Sequence, residues 1–272
     1  MIQIAKADGT SEPFNPHKLI ASLTRAGASQ STANQILGDI EKELYNGITT
    51  GEIYSHAFTR LRSAGVGHAA RYSLKRAMLD FGPPGFPFEA YIAELFRAEG
   101  HDARVDQIIQ GRCVEHEVDI VIKSGNETVY AEAKFHNTLG FKTDLKTVLY
   151  VQARIEDIAT KHEGSKGLVV TNTKFTDRAL QYAQCRRLEL LAWDYPQSMT
   201  LHERIDKAKL YPVTALTTLS RREKMALLEQ REVLCTTLPQ KTDLLRQAGV
   251  AAGKVGMVLE EVGALCVPGK DI

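Results

Sequence analysis

Apolar and polar positions along this chain repeat with two different periods, and the changes of period mark its elements. "IQIAK" (2–6) alternates and "DG" (8–9) turns, so the start reads as a small hairpin. From Pro16 the apolar residues fall at helical spacing to about Ala26, with Asn15 as the capping side chain and Pro16 at the first helical position. Further helices are expected at about 30–46, 50–63 and 67–80, the one at 50–63 capped by Thr49 or Thr50. "FGPPGFP" (81–87) then interrupts, because this density of proline and glycine cannot continue a helix. Beyond it Phe88, Tyr91, Ile92, Leu95 and Phe96 recur at helical spacing as far as about Gly100. An extended stretch, "ARVDQIIQG" (103–111), leads into a hairpin, "VDIVIKSGNETVYAEAKFH" (118–136). A helix (143–162), the apolar strand "KGLVVTN" (166–172), a second helix (173–184) and the strand "LELLAW" (188–193) follow. After a softer break near 194–200 the pattern is helical at about 202–208, 220–234, 240–248 and 251–265. The expected class is α/β in three domains: a small, mostly helical one over 1–82, a three-layer α/β/α one with a mixed sheet over 86–196, and a helical region over 200–272.

Composition narrows the classes little. The chain has 272 residues, 43% hydrophobic and 25% charged, with a net charge of +1, so nothing global announces a polyanionic partner. Any nucleic-acid surface must come from local clusters such as "RYSLKR" (71–76) or "SRREK" (220–224). Cys113, Cys185, Cys235 and Cys266 are far apart, which argues against a disulfide framework and for a reducing compartment. Cys113 and His116 have a ligand-like spacing, but no second pair accompanies them, which argues against structural zinc. No apolar run has the length of a signal peptide core or a membrane span, so a cytoplasmic protein with no membrane partner is expected. No GxxxxGK[ST] motif is present, so P-loop ATP hydrolysis is not expected.

The central hairpin carries the chemistry. Glu132 and Lys134 are two residues apart on a strand, so they share a face while Ala133 points to the other. If the turn is the four residues "SGNE" (124–127), Lys123 pairs Thr128 and Asp119 lies opposite Glu132. A three-residue turn would invert the strand and place Asp119 on the other face. Two carboxylates at close range repel unless a cation neutralises them or one takes up a proton. Oxygen ligands suit Mg²⁺ or Mn²⁺, and a lysine beside the metal can hold the attacking water and stabilise charge on phosphorus. That is the equipment for phosphodiester hydrolysis. The plain alternative is an exposed hairpin face with an ordinary Glu–Lys pair.

Two resemblances extend this reading. The segments "IAKADGTSEPFNPHKL", "ITTGEI" and "ARYSLKRAM" resemble, in order and spacing, an ATP-cone, a nucleotide-sensing domain. The resemblance implies that Lys6, Glu12, Lys18 and Thr50 contact ATP or dATP, lysines serving the phosphates and the helix start offering free N–H groups. The family's second basic residue after Lys6 is Ala7 here. Over 86–196, a helix with an early Glu, "VDIVI…AEAK", a helix and "VVTNTKFTDRAL" together resemble the Mrr-like restriction endonucleases of the PD-(D/E)xK superfamily. That resemblance implies catalytic roles for Asp119, Glu132 and Lys134, with Glu89 assisting, and metal ligation by Asp119, Glu132 and the Ala133 carbonyl. Gln152 corresponds to a polar residue near the site in some relatives. The usual Pro before the Asp is Val118 here. Glu115, His116 and Glu117 precede the strand and could reach the metal, with an exposed approach loop an equal reading, and His136 could contact phosphate, though a lone His is more often a hydrogen-bonded bystander.

The C-terminal "LLRQAGVAAGKVGMVLEEVGAL" vaguely resembles a helix-hairpin-helix module, with core packing or a dimer contact an equal reading. The expected function is a Mg²⁺-dependent DNA endonuclease, acting as a homo-oligomer, whose activity is set by ATP or dATP bound at the cone. The alternative is a nucleotide-responsive DNA-binding protein with an inactive nuclease fold.

Overall fold

The structure, a computed structural model, describes residues 2–7, 9–82 and 85–266. Asp8 of the expected first turn, and Pro83 and Pro84 of the expected break, lie outside the described residues. Two compact units emerge: Met1–Met78 together with Tyr211–Ile272, and Leu79–Leu210. The C-terminal helical block, expected as a region of its own, thus falls into the same unit as the N-terminal block.

The chain opens with β1 (Gln3–Ala5) and β2 (Ser11–Pro13), antiparallel in the register Ile4↔Glu12. Helix α1 (Pro16–Arg25) starts where the Asn15 side chain accepts the N–H groups of His17 and Lys18. Helix α2 (Gln30–Glu41) is capped by Ser29, and α3 (Thr50–Ala64) by Thr49 in a capping box with Glu52. Helix α4 (His68–Ala77) follows. The apolar stripes Leu19/Leu23, Ile36/Ile40 and Ile53/Ala57/Leu61 meet in one core. The helix expected to reach residue 46 stops at Glu41, because the next residues serve the hairpin instead. Asn46 accepts the Gln3 N–H through its side chain, and the Gly47 N–H, at φ +89°, donates to the Gln3 carbonyl.

In the middle unit α5 (Phe86–Ala98) precedes a five-stranded sheet. Its strands are β3 (Asp102–Gln110), β4 (Glu115–Ser124) and β5 (Glu127–Lys134), all antiparallel neighbours. A short strand, β6 (Lys142–Thr143), and α6 (Leu145–Ala159) lead to β7 (Ser165–Thr171), which lies parallel beside β5. Then β8 (Lys174–Phe175) pairs with β6, and α7 (Asp177–Arg186) leads to β9 (Glu189–Leu191), parallel to β7. Val148, Val151, Ile155 and Ile158 of α6 and Ala179 and Ala183 of α7 bury one sheet face with Val121, Tyr130, Val169 and Leu190. Each large apolar side chain buried this way stabilises by about 2 kcal/mol. Helix α5, with α8 (Leu201–Ala208) beside it, covers the other face, giving a mixed sheet between helical layers.

Past Tyr211 short elements dominate: 3-10 turns at Val213–Ala215 and Cys235–Gln240, α9 (Arg221–Glu229), α10 (Thr242–Gln247) and α11 (Ala252–Cys266). The helix expected over 220–234 ends at Glu229, and Arg231 at φ +61° reverses the chain. Glu261 of α11 is 2% exposed and accepts four hydrogen bonds, from the N–H and hydroxyl groups of Thr217 and Thr218, at 2.6–2.9 Å.

Candidate functional site

The β4–β5 turn sets the geometry. Ser124 pairs with Glu127 and Lys123 with Thr128, with Gly125 at φ +58° as the first central position of a two-residue hairpin requires. This register is the one that brings Asp119 to Glu132. The ladder to β5 begins only at Ile120↔Ala131, and the ladder to β3 skips the Asp106–Asp119 pair. Asp106 there takes φ +54°. Asp119 therefore sits in a local break on both sides of its strand. Its Oδ2 accepts the Ala133 N–H at 2.7 Å, so its carboxylate lies against the backbone between Glu132 and Lys134.

Glu132 is buried, 4% exposed, on the face covered by α6. Lys134 Nζ reaches its Oε1 at 2.5 Å, and Arg154 Nη1 of α6 reaches its Oε2 at 2.5 Å. Arg154 Nη2 donates to the Tyr150 hydroxyl at 3.1 Å, while its Nε is buried without a hydrogen-bond partner. The balance remains acidic. Burial, then the charge of Glu132, pushes the Asp119 carboxyl up to about 6. Burial, then Asp119, Asp106, Glu132 and Glu117, pushes Glu89 at the start of α5 up to about 7. Glu89, Asp119, Glu132 and Lys134 are thus brought into one electrostatic neighbourhood by three elements.

Arg154 is the residue the sequence reading missed. Gln152, expected near the site, instead donates to Glu156 on the surface. The available signal was the α6 period: Arg154 stands between the buried Val151, Ile155 and Ile158, where a solvated cation is out of place. Asp106 was also missed, since nothing in "ARVDQIIQG" marks an interrupted ladder. His136 is pinned: its N–H and carbonyl bond the Asn172 side chain at 2.9 and 2.7 Å, and its Nε2 meets Thr143 at 3.0 Å. His116 and the Cys113 N–H are held by Asp157 of α6 at 2.8 and 2.9 Å, so the Cys-x2-His spacing serves a loop anchor.

Among the described residues no group of three or more His, Cys, Asp or Glu side chains is arranged as a metal cage. The donor set fits a different kind of site. Two carboxylates, Asp119 and Glu132, with the Ala133 backbone beside them and with burial and then the charge of Glu132 raising Asp119, suit a hard divalent cation that keeps most of its waters.

In the cone, Glu12 bridges two lysines, Lys6 Nζ at 2.6 Å and Lys18 Nζ at 3.1 Å, and these hold its carboxyl below the usual range. A bridge between Ala5 and Thr49 carries Lys6 towards Thr50 at the start of α3. Arg76 of α4 lies 3.4 Å over the Tyr54 ring, and Tyr54 stacks on Tyr72. The basic cluster 71–76 is spent internally in part, because Arg71 also donates to the Ala264 carbonyl.

A protein of Archaeoglobus fulgidus, described as uncharacterized, is 32% identical over 171 residues, which are 62% of this chain and 97% of that protein. A crystal structure described as the protein of unknown function AF1548 aligns at TM-score 0.57 and 30% identity, over 67% of this chain and 98% of that one. The chain belongs to the AF1548-like family. Within this family member the AF1548-like C-terminal family matches residues 211–266, the restriction endonuclease (Mrr catalytic) family 84–197 and the ATP cone domain family 2–79. The AF1548-like chain therefore joins an ATP cone to a restriction-endonuclease-like domain, in that order. The MspJI restriction endonuclease bound to a 27-mer oligonucleotide aligns at TM-score 0.35 and 14% identity, over 74% of this chain and 38% of that one. No described helix is long and apolar enough to cross a membrane.

Proposed function

We propose that this protein is a Mg²⁺-dependent DNA endonuclease whose activity is set by ATP or dATP at the cone. One observation carries the reading: the Asp119 carboxylate lies against the backbone joining Glu132 to Lys134, where the carboxylates of Glu89, Asp106, Asp119 and Glu132 outnumber the cations Lys134 and Arg154. Asp119, Glu132 and the Ala133 carbonyl would hold the ion, which when bound supplies charge neutralisation and an acidified water. The chain's own residues do the rest. Lys134 orients the attacking water and stabilises charge building on the phosphate oxygens. Glu89, with a pKa of about 7, is poised to accept a proton from that water near neutral pH. Arg154 keeps one side of Glu132 neutralised and fixes its rotamer. At the cone, nucleotide phosphates would take Lys6 and Lys18 from Glu12, and nucleotide would act by binding two arrangements of the chain unequally, without being consumed. Homo-oligomer formation would allow both strands to be cut.

A second reading, a nucleotide-responsive DNA-binding protein with an inactive nuclease fold, draws on Glu132 having both oxygens occupied by cations. End-labelled duplex DNA incubated with Mg²⁺ separates the two. The nuclease reading expects cleavage by the wild type, and by Lys134→Ala a loss of at least a hundredfold with DNA binding retained. Binding without cleavage by the wild type would establish the second reading and refute the first.

A further inference from the structure

Three of the exposed large hydrophobic side chains fall in one segment flanking the site: Phe141 at 61%, Leu149 at 44% and Tyr150 at 59%. Phe141 and Tyr150 are tied to the site from two sides. The Phe141 ring stacks on His136, centroids 5.6 Å apart, and His136 lies two residues beyond Lys134, clamped by Asn172 and Thr143. Burial, then Lys134, keeps the His136 pKa low, so this stack braces an apolar ring against a neutral one. The Tyr150 hydroxyl accepts from Arg154, whose other arm holds Glu132. Cations interleave with the rings. Lys146, Tyr150 and Arg154 follow each other at four-residue spacing on α6, and Lys142 pairs in register with Lys174 on the β6–β8 ladder.

Apolar side chains of this size, left in water beside a reactive centre, mark an interaction surface. Its occupant is a polyanion, because the rings alternate with lysines. A second copy of the chain or an apolar peptide would leave those lysines desolvated. Paired duplex DNA offers phosphates to the lysines but hides its base faces, so it leaves the rings unused. Unpaired nucleotides offer both a charged backbone and free flat faces for stacking.

We infer that this rim binds unpaired nucleotides, so that the preferred substrate is DNA with a single-stranded stretch beside the cut. The substrate class rests on the nuclease reading above, while the binding claim stands on the rim alone. The test measures anisotropy of labelled DNA in EDTA, where no metal-dependent cutting occurs, for a blunt duplex, the same duplex with a single-stranded tail, and a single strand. The tailed and single-stranded forms are expected to bind at least tenfold more tightly than the blunt duplex. Phe141→Ala with Tyr150→Ala should bring them to the duplex level, and Phe141→Tyr with Tyr150→Phe, which keep both rings, should retain most of the preference. Equal affinity for all three DNAs would overturn the inference. So would a preference that survives the double alanine variant, or a change of sedimentation coefficient in that variant, which would mark the rim as a protein interface. Preferential binding without cleavage in Mg²⁺ would remove only the nuclease reading. Cleavage without preferential binding would remove only the rim.

Discussion

Replacing Asp119 by Asn is expected to make the metal-free protein more stable at pH 8, against the usual cost of altering a half-buried polar residue. Burial and the neighbouring Glu132 carry the carboxyl from an ordinary 3.8 to about 6. The folded state therefore binds this proton more tightly than the unfolded chain. The associated stability is fully present below about pH 4 and is lost as pH rises through about 6. At 1.36 kcal/mol per pH unit the ceiling is about 3 kcal/mol. Solvent screening of a partly exposed group reduces this to about 1–2 kcal/mol, or several degrees of Tm. The amide oxygen of Asn still accepts the Ala133 N–H, so the contact survives while the charge goes. Thermal unfolding in EDTA at pH 3.5 and pH 8 should show near-equal Tm values at the lower pH and the variant ahead at the higher. Saturating Mg²⁺ should reverse the order at pH 8, because an ion that binds only the folded wild type stabilises it. A variant less stable than wild type at pH 8 without metal, or a difference that does not change with pH, would refute the reasoning.

Three further outcomes follow from the same contacts. Arg154→Met leaves Glu132 with Lys134 as its remaining cation and should cost on the order of 2–3 kcal/mol, with Glu132→Gln in the same chain recovering part of it in a double-mutant cycle of unfolding free energies. Glu261→Ala strands four donors on Thr217 and Thr218 and should destabilise by about 2–4 kcal/mol in urea unfolding. Asp157 is held well below the usual carboxylate range by His116, then by the Cys113 N–H, so Asp157→Asn should lower Tm at pH 7. That loss should shrink as pH falls below about 4, since the stability tied to a depressed carboxyl disappears on acidification.

What the sequence shows and what it hides divide along physical lines. The hairpin is legible and its register is narrowed to two choices, a four-residue turn on "SGNE" or a three-residue one; the structure takes the first, with Gly125 supplying the positive φ. Two helix starts of the cone are legible, at Asn15–Pro16 and at Thr49 or Thr50, since caps are local chemistry, and the structure settles the second on Thr49. The mixed sheet follows from strands alternating with helices. Arg154 stays hidden because which face of α6 meets Glu132 depends on the β5–α6–β7 crossover, a long-range property. Asp106 stays hidden because an interrupted ladder has no signature in an otherwise ordinary strand. The short C-terminal elements defeat periodicity for another reason. They are closed by side chains such as Glu261 and Glu232, reaching residues distant or nearby in sequence, rather than by regular stripes.

The claim on which everything else rests is that Asp119 and Glu132 share one divalent ion. Mn²⁺, a spectroscopic stand-in for Mg²⁺, tests it directly in a calorimetric and electron paramagnetic resonance titration at pH 6.5. The account predicts one ion bound per chain, released protons as Asp119 and Glu89 ionise, and loss of that ion in both Asp119→Asn and Glu132→Gln. Mn²⁺ binding that is absent in the wild type, or unchanged in the two variants, would contradict it.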